Sequence, residues 1–143
     1  ADAKRQFKIL PTVELKDVKK IKHQTNLTLL NKDRLLELKQ ISDDTNVNYF
    51  FMPSIDGITK ETYEATRIGG NFEVVMQNLK DAVDIFGIQN VKPSFTIKKT
   101  NISDIPNIIN YFRDNFGLEV DIGADAYDDF CKIVRPLAYG EEH

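Results

Sequence analysis

The sequence predicts an α/β fold of consecutive βα units, in which parallel strands are joined by helices. Short apolar runs bounded by proline or polar residues alternate along the chain with longer amphipathic segments. Such alternation requires a parallel sheet with right-handed crossovers, because a helical connection returns the chain to the start of the next strand. No glycine-rich phosphate loop of the GxGxxG or GxxxxGKS kind follows these strands. Dinucleotide and nucleoside-triphosphate folds are therefore disfavoured.

Composition predicts a single domain spanning residues 1–143. The chain is 41% apolar and 29% charged, with a net charge of −3, as is typical of a globular protein. The charge gives no reason to expect nucleic acid as a partner, and no apolar run is long enough to predict a membrane span. The single cysteine, Cys131, allows no internal disulfide, which favours a cytoplasmic location.

The first third of the chain is predicted to hold helix, strand and helix. Residues 12–20 follow Pro11 and alternate apolar with charged side chains, which predicts a short helix; the lysines at 16, 19, 20 and 22 are interpreted as a solvated face rather than an anion patch. Residues 20–25 are expected to form a strand. Asn31 then caps a predicted helix over 32–41, and the polar run at 42–46 ends it. The inward residues of that helix are expected to be Leu35, Leu36, Leu38 and Ile41.

A buried strand at 49–52 forms the centre of the predicted sheet. Its residues YFFM are a continuous apolar run that is too short for a helix and is bounded by Pro53. Ser54 and Asp56 follow at its carboxyl end. Small molecules bind beyond the carboxyl ends of parallel strands, so these two side chains are predicted to face a ligand.

Two helices are predicted to follow this strand. Thr59 caps the first, which ends at Arg67, and Asn71 caps the second, which ends at Gly87 because a residue with positive φ is wanted there. The second helix has apolar residues spaced by three and four. These residues are Phe72, Val75, Met76, Leu79, Val83 and Phe86.

The remaining residues are predicted to form strand, helix and strand. Residues 91–99 alternate as a strand that Thr100 terminates, and residues 118–122 alternate as a last strand. Between them Ser103 is expected to cap a helix, with Pro106 in its first turn. Its buried face is expected to be Ile105, Ile108, Ile109, Phe112 and Phe116. Residues 123–143 have no clear period and are left unassigned.

Polar clusters recur at the ends of three predicted strands. They are Gln24 to Asn26, Ser54 to Gly57, and Thr100 with Asn101. Because the carboxyl ends of parallel strands meet along one edge of a sheet, we expect these clusters to share a rim. Such repetition is similar to the top of a barrel.

Several segments resemble, in order and spacing, the radical S-adenosylmethionine enzymes, particularly the sulfatase-maturing and peptide-modifying branch. QTNLTLL at 24–30 is similar to that family's QTNGTLL segment. SIDG at 54–57, ETYE at 61–64, Arg67, GGNFE at 69–73 and VMQNL at 75–79 resemble its next strand and helices. FTIKKTN at 95–101, followed by ISDIP, resembles the strand after that. The resemblance covers about residues 20–122.

The resemblance implies the later βα units of a partial triosephosphate-isomerase-like barrel, with residues 1–20 as a lead-in. In this family the strand ends hold S-adenosylmethionine against a 4Fe–4S cluster, which cleaves it to a 5′-deoxyadenosyl radical that modifies a small-molecule or peptide substrate. By position, the resemblance implies eight residues near the cofactor. They are Gln24, Thr25, Asn26, Ser54, Asp56, Arg67, Thr96 and Thr100.

The chain departs from the family pattern where the cluster would bind. The family's CxxxCxxC loop is absent, and Cys131 alone does not supply three thiolates. Leu27 replaces the glycine of QTNG. No catalytic residue or metal ligand is therefore assigned, and by itself the chain is expected to be inert in radical chemistry. It is interpreted as an excised part of such an enzyme, since it starts at Ala1 without an initiator methionine, or as a relative that lost the cluster. The alternative is a non-catalytic α/β binding or interaction module that uses the same rim.

Simpler roles remain open for several of these residues. Asp56 and Gly57 form a turn signal, and Arg67 could pair with a glutamate on its own helix. His23 has no ligand partner at metal-binding spacing and is interpreted as a strand or surface residue. If the chain is half of a barrel, unpaired sheet edges are expected to promote self-association.

Overall fold

The computed structural model describes residues 17–98 and 102–124. Within these residues there are four strands and four α-helices. The strands are β1 (Lys20–Thr25), β2 (Asn48–Pro53), β3 (Ser94–Ile97) and β4 (Asp121–Ala124). The helices are α1 (Lys32–Thr45), α2 (Lys60–Thr66), α3 (Phe72–Phe86) and α4 (Ile105–Phe116), with 3-10 turns at Ile88–Asn90 and Ile102–Asp104.

All strand pairing is parallel and follows chain order. β1 pairs with β2, with Lys20 opposite Asn48, and β3 pairs with β4, with Ser94 opposite Asp121. Two isolated parallel bridges, Phe51 to Val91 and Ser54 to Ser94, join the two pairs between β2 and β3. The predicted α/β class with parallel strands is therefore confirmed.

Three helices follow β1 and β2, and the start of each is set by a local capping signal that the sequence predicted. The side chains of Asn31, Thr59 and Asn71 each accept a hydrogen bond from the backbone N–H three residues on. Gly87 ends α3 with φ at 85°, a backbone conformation that side chains with a Cβ rarely adopt. These elements begin or end where the sequence placed them because capping depends on neighbouring residues alone.

Other boundaries depend on contacts that the local pattern did not reveal. α1 continues through the predicted loop to Thr45, with Lys39 paired to Asp43 and Gln40 bonded to Asp44 across its exposed face. The predicted end at 41 is therefore wrong. The cap of α4 is Asp104 rather than Ser103, which lies within the preceding 3-10 turn.

The last strand starts later than predicted because Leu118 belongs to the end of α4. Gly117 adopts a left-handed conformation, with φ at 67°, and the N–H of Leu118 bonds the carbonyl of Phe112. This pattern ends many helices and buries the residue that follows the glycine. Leu118 accordingly joins the core, and β4 spans 121–124 instead of 118–122.

The predicted strand at 20–25 is confirmed as β1, and Lys20 and Lys22 are exposed residues of it. The predicted extension of the N-terminal helix to residue 20 is therefore wrong. Residues 12–16 of the predicted helix, Cys131 and residues 125–143 of the unassigned tail lie outside the described residues, whereas Gly123 and Ala124 belong to β4.

Alternation along the strands divides the sheet into two faces. Tyr49, Phe51, Val91 and Phe95 belong to one core cluster with buried residues of α1, α3 and α4. Side chains of successive strand residues point to opposite faces, so the helices cover the face of the odd-numbered residues. The even-numbered residues of β1 to β3 lie on the opposite face.

Two expected core residues, Leu36 and Ile109, are instead 48% and 39% exposed. In the described ranges, each helix is too short or too polar to cross a bilayer.

His23 is a buried residue of the helix-covered face. It is 1% exposed, and its ring stacks on Phe51 with centroids 5.6 Å apart. Neither ring nitrogen has a hydrogen-bond partner among the residues that the structure describes. Burial lowers the pKa of His23 below its ordinary value of 6.5, because the charged form loses its hydration. The interpretation of His23 as a strand residue is confirmed.

We expect the folded chain to lose stability as the pH falls below about 6.5, because the unfolded chain then binds a proton that buried His23 resists. The slope from this residue cannot exceed about 1.4 kcal/mol per pH unit, and it vanishes above pH 7.5. Urea unfolding at several pH values between 5.5 and 7.5 measures it. His23→Leu should flatten the slope, whereas His143→Ala, which removes the sequence's other histidine, should leave it unchanged. An unchanged slope in His23→Leu would contradict the assignment.

Candidate functional site

Ser54 follows the carboxyl end of β2, beside the end of β1 and the start of β3. Its backbone N–H bonds the carbonyl of Thr25 at 2.8 Å, and the N–H of Ile55 bonds the carbonyl of Ser94 at 3.0 Å. The chain is therefore fixed between β1 and β3 at this point. The half-buried Ser54 hydroxyl makes no hydrogen bond within residues 17–98 and 102–124, so it is available to a ligand.

Gln24 lies on the same face of the sheet as Ser54. It is an exposed residue near the end of β1, opposite Met52 in the register. Its side-chain amide has no partner within the described ranges, so it offers both a donor and an acceptor. Thr96 of β3 shares this face by alternation and is half-buried. Three of the predicted residues, Gln24, Ser54 and Thr96, are thus brought to one side of the strand ends.

Thr25 and Asn26 serve the turn that follows β1. The Thr25 hydroxyl accepts a hydrogen bond from the N–H of Leu27, and the Asn26 side chain accepts one from the N–H of Thr28, both at 3.1 Å. Side-chain oxygens that bond two residues ahead form tight turns. Both residues therefore shape the rim through their own backbone, and Thr25 lies on the helix-covered side. Thr100, the last predicted residue, lies outside the described residues.

Leu27 occupies a backbone conformation that glycine adopts more easily. Its φ is 61°, in the left-handed region, which costs a residue with a side chain roughly 1–2 kcal/mol. Two contacts stabilise the turn: the Leu27 side chain is fully buried in the core, and its carbonyl accepts a 2.7 Å hydrogen bond from buried Asn78 of α3. Nothing in the sequence indicated that Asn78 stabilises this turn, because Asn78 looks like an ordinary polar residue of an amphipathic helix.

Asp56 and Arg67 bind each other across the loop after β2. The Nε and Nη2 atoms of Arg67 both lie 2.8 Å from Oδ2 of Asp56. The carboxylate side chain is 13% exposed and the guanidinium side chain 35% exposed, so the pair is partly shielded from water. The alternative in which Arg67 pairs with Glu61 or Glu64 is wrong. Glu64 instead accepts a hydrogen bond from the N–H of Phe72 at the start of α3.

Tyr63 lies next to this ion pair. It is 1% exposed, and burial raises the pKa of its phenol, with the positive charge of Arg67 opposing the shift. The side chain therefore stays neutral at pH 7 and acts as an apolar support with one hydrogen-bonding group.

Two grooves open beside the loop after β2, and neither is lined by Gln24, Ser54 or Thr96. One, of about 500 Å³, lies between the turn after β1 and the α2 to α3 loop, and includes Asn26, Thr28, Arg67 and Gly70. The other, of about 520 Å³, lies between α2 and α4. Its lining includes apolar Phe95 and Ile108 with polar Asp56, Lys98 and Asn107. Grooves of this size accommodate a small ligand.

The rim offers hydroxyl, amide and ion-pair groups rather than metal ligands. In the part of the chain described by the structure, no three His, Cys, Asp or Glu side chains converge as a metal site. The arrangement suits hydrogen bonding and charge recognition of a small polar molecule.

Breaking the Asp56–Arg67 pair should loosen the loop after β2. In a double-mutant cycle of Asp56→Asn and Arg67→Met, we expect a coupling free energy of about 1–2 kcal/mol, because both bonds are charge-assisted and partly desolvated. Urea unfolding of the four proteins measures it. The exposed Lys39–Asp43 pair is the matched control, with about 0.3–0.5 kcal/mol expected. Equal coupling in the two cycles would show that shielding of the rim pair adds nothing.

Gly57 allows the loop after β2 to pack against α2. A Cβ at this position would lie 2.5 Å from the backbone nitrogen of Tyr63 and 2.7 Å from the backbone carbon of Thr62, so one of the two backbones must move. Gly57→Ala is expected to lower the free energy of unfolding by about 1–3 kcal/mol. Gly123→Ala is the control, since nothing lies within 4 Å of its added Cβ. Equal stability of the two variants, measured by thermal unfolding, would contradict the close approach.

Comparisons of the chain with protein-family models, with curated proteins and with solved structures found no match in any of the three. The family resemblance of its segments therefore stays a prediction, and the geometry of the rim is the basis for proposing a function.

Proposed function

We propose that this chain forms the strand-end part of an S-adenosylmethionine site, as in the radical S-adenosylmethionine enzymes that its segments resemble. The observation that carries the proposal is the position of Gln24, Ser54 and Thr96 on one face of three adjacent parallel strands. Chain-ordered parallel strands with helices packed on one face are also what successive units of a partial barrel require.

The chemistry of the three side chains supports a zwitterionic ligand. A methionine carboxylate needs donors, and its ammonium group needs acceptors, because burying either charge without a partner is costly. The Ser54 hydroxyl would donate to the carboxylate, and the Gln24 amide would accept from the ammonium or donate to the carboxylate. Both groups stand on a backbone that strand pairing fixes, so little order is lost on binding.

Asp56 and Arg67 would contribute from the loop after β2, beside a groove that adjoins the turn after β1. Their mutual bonds hold the guanidinium at the edge of the groove that Asn26 and Gly70 also line. A guanidinium positioned in this way attracts an anionic group while Asp56 keeps its orientation. The pair is therefore proposed as a positioning element of the rim.

The iron–sulfur cluster that the resemblance implies does not fit the residues of this chain. The sequence contains one cysteine, whereas such a cluster needs several thiolates at fixed spacing. The proposal for this chain is therefore limited to binding and orienting S-adenosylmethionine.

Calorimetric titration of the purified chain with S-adenosylmethionine tests the proposal. We expect Gln24→Ala and Ser54→Ala each to weaken binding about tenfold or more, because each removes a hydrogen bond to a charged group. Gln77→Ala is the matched control, since Gln77 bonds Asp81 on the exposed side of α3. Absence of saturable binding, or wild-type affinity in both rim variants, would contradict the proposal.

The second candidate function is a non-catalytic binding module that uses the same rim. The single cysteine is the observation that favours it. The calorimetric titration separates the two candidates. Absence of saturable S-adenosylmethionine binding would favour this module, whereas binding that both rim variants weaken would exclude it.

A further inference from the structure

The lysines of β1 form a cationic surface that the sequence pattern concealed. Lys20 and Lys22 are two residues apart on a strand, so both project from the even-numbered face of the sheet, and both are exposed. Lys92, which precedes β3, lies on the same face by the register of the Phe51 to Val91 bridge and is half-buried. None of these three lysines forms an ion pair within residues 17–98 and 102–124.

Charge is distributed unequally between the two sides of the sheet. β1, β2 and β3 contain no carboxylate, and the first on this face is Asp121 of β4. The helices α1, α2 and α3 each carry more acidic than basic side chains. These three helices therefore carry an excess of negative charge, and the lysines create a local positive potential on the other side of the sheet.

An aromatic ring lies among the lysines. Phe50 is opposite Lys22 in the register, is half-buried, and has the ammonium of Lys20 4.3 Å from its ring centroid. A cation above a ring is held in place without losing its charge. Met52, next to Phe50 on this face, is 8% exposed but does not belong to the core cluster under the helices. Apolar and cationic groups thus adjoin each other on one surface.

We propose that this face of the sheet binds a nucleotide, with its phosphates on Lys20 and Lys22 and its ring system against Phe50. Lys92 would contact the ligand from the opposite side. The inference is independent of the proposed S-adenosylmethionine site, because that ligand has no phosphate and its residues lie nearer the carboxyl ends of the strands.

The size of the surface favours a small ligand over a nucleic acid strand. Strand spacing and rise place the Cα atoms of Lys22 and Lys92 about 12 Å apart, within reach of one nucleotide once the long side chains extend. A surface that binds single-stranded nucleic acid instead carries basic residues along a groove that spans about four or more nucleotides. On this face the row of basic side chains ends before β4, where the acidic residue Asp121 lies.

Calorimetric titration with ATP, inorganic tripolyphosphate and an oligothymidylate at near-physiological salt tests the inference. We expect ATP to bind saturably, more tightly than tripolyphosphate and at least as tightly as the oligothymidylate. Lys20→Gln combined with Lys22→Gln should weaken ATP binding at least about tenfold, because two charge-assisted contacts are lost. Phe50→Leu should reduce the affinity for ATP more than that for tripolyphosphate.

A double variant of α1, Lys32→Gln with Lys39→Gln, makes the same change in net charge on the helical side and should leave ATP affinity within about twofold. Equal weakening in the two double variants would show general electrostatic attraction and overturn the site. Equal affinity for ATP and tripolyphosphate would overturn the nucleotide assignment. Tighter binding of the oligothymidylate would replace it with a nucleic acid surface, and absence of ATP binding would overturn the inference altogether.

Discussion

The packing of Phe51 is the contact on which the strand order depends. It pairs with His23 of β1 and bridges to Val91 before β3, and its carbonyl accepts a hydrogen bond from the N–H of Lys92. Its ring lies 4.7 Å from that of Phe86 in an edge-to-face arrangement, which aromatic pairs favour. One buried side chain therefore joins β1, β2, the start of β3 and α3. Burial of a side chain of this size stabilises the fold by about 1.5–3 kcal/mol.

Fixing the register at Phe51 decides which side chains face the helices and which do not. A shift of one residue would send every side chain of β2 to the opposite face. The register that buries Tyr49 and Phe51 necessarily places Phe50, Met52 and Ser54 on the other side, beside the even-numbered residues of β1. Both proposed ligand surfaces follow from this one constraint. The residues near the strand ends are polar and uncharged, whereas those lower on the same face are cationic around a ring.

The sequence could predict structural features that depend on adjacent residues, such as helix caps. It failed for strand boundaries and side-chain partners that depend on residues distant in the chain. Asn31, Thr59 and Asn71 were found as caps because a cap bonds its own helix. The strand at 20–25 was predicted correctly, but Lys20 was also included in the preceding helix, because a short alternating segment with charges fits a helix face as well as a strand. Pairing of Lys20 with Asn48 settles its place. The Asp56–Arg67 pair was missed because glutamates at helical spacing offered a nearer partner for the arginine. Asn78 gave no local signal, since its bond to Leu27 spans 51 residues.

The polar groups of the candidate rim are of two kinds: some bond within the protein, and others are available to a ligand. Thr25, Asn26, Asp56 and Arg67 bond one another or the backbone nearby, so their first effect is to hold the turn after β1 and the loop after β2 in place. Ser54 and Gln24 are held there by strand pairing, and their side chains make no bond within the described residues. A binding site needs both kinds, because donors and acceptors recognise a ligand strongly only when other contacts fix them beforehand. Leu27 shows how firmly the turn is held: a left-handed residue other than glycine persists there because the core and Asn78 together offset its strain.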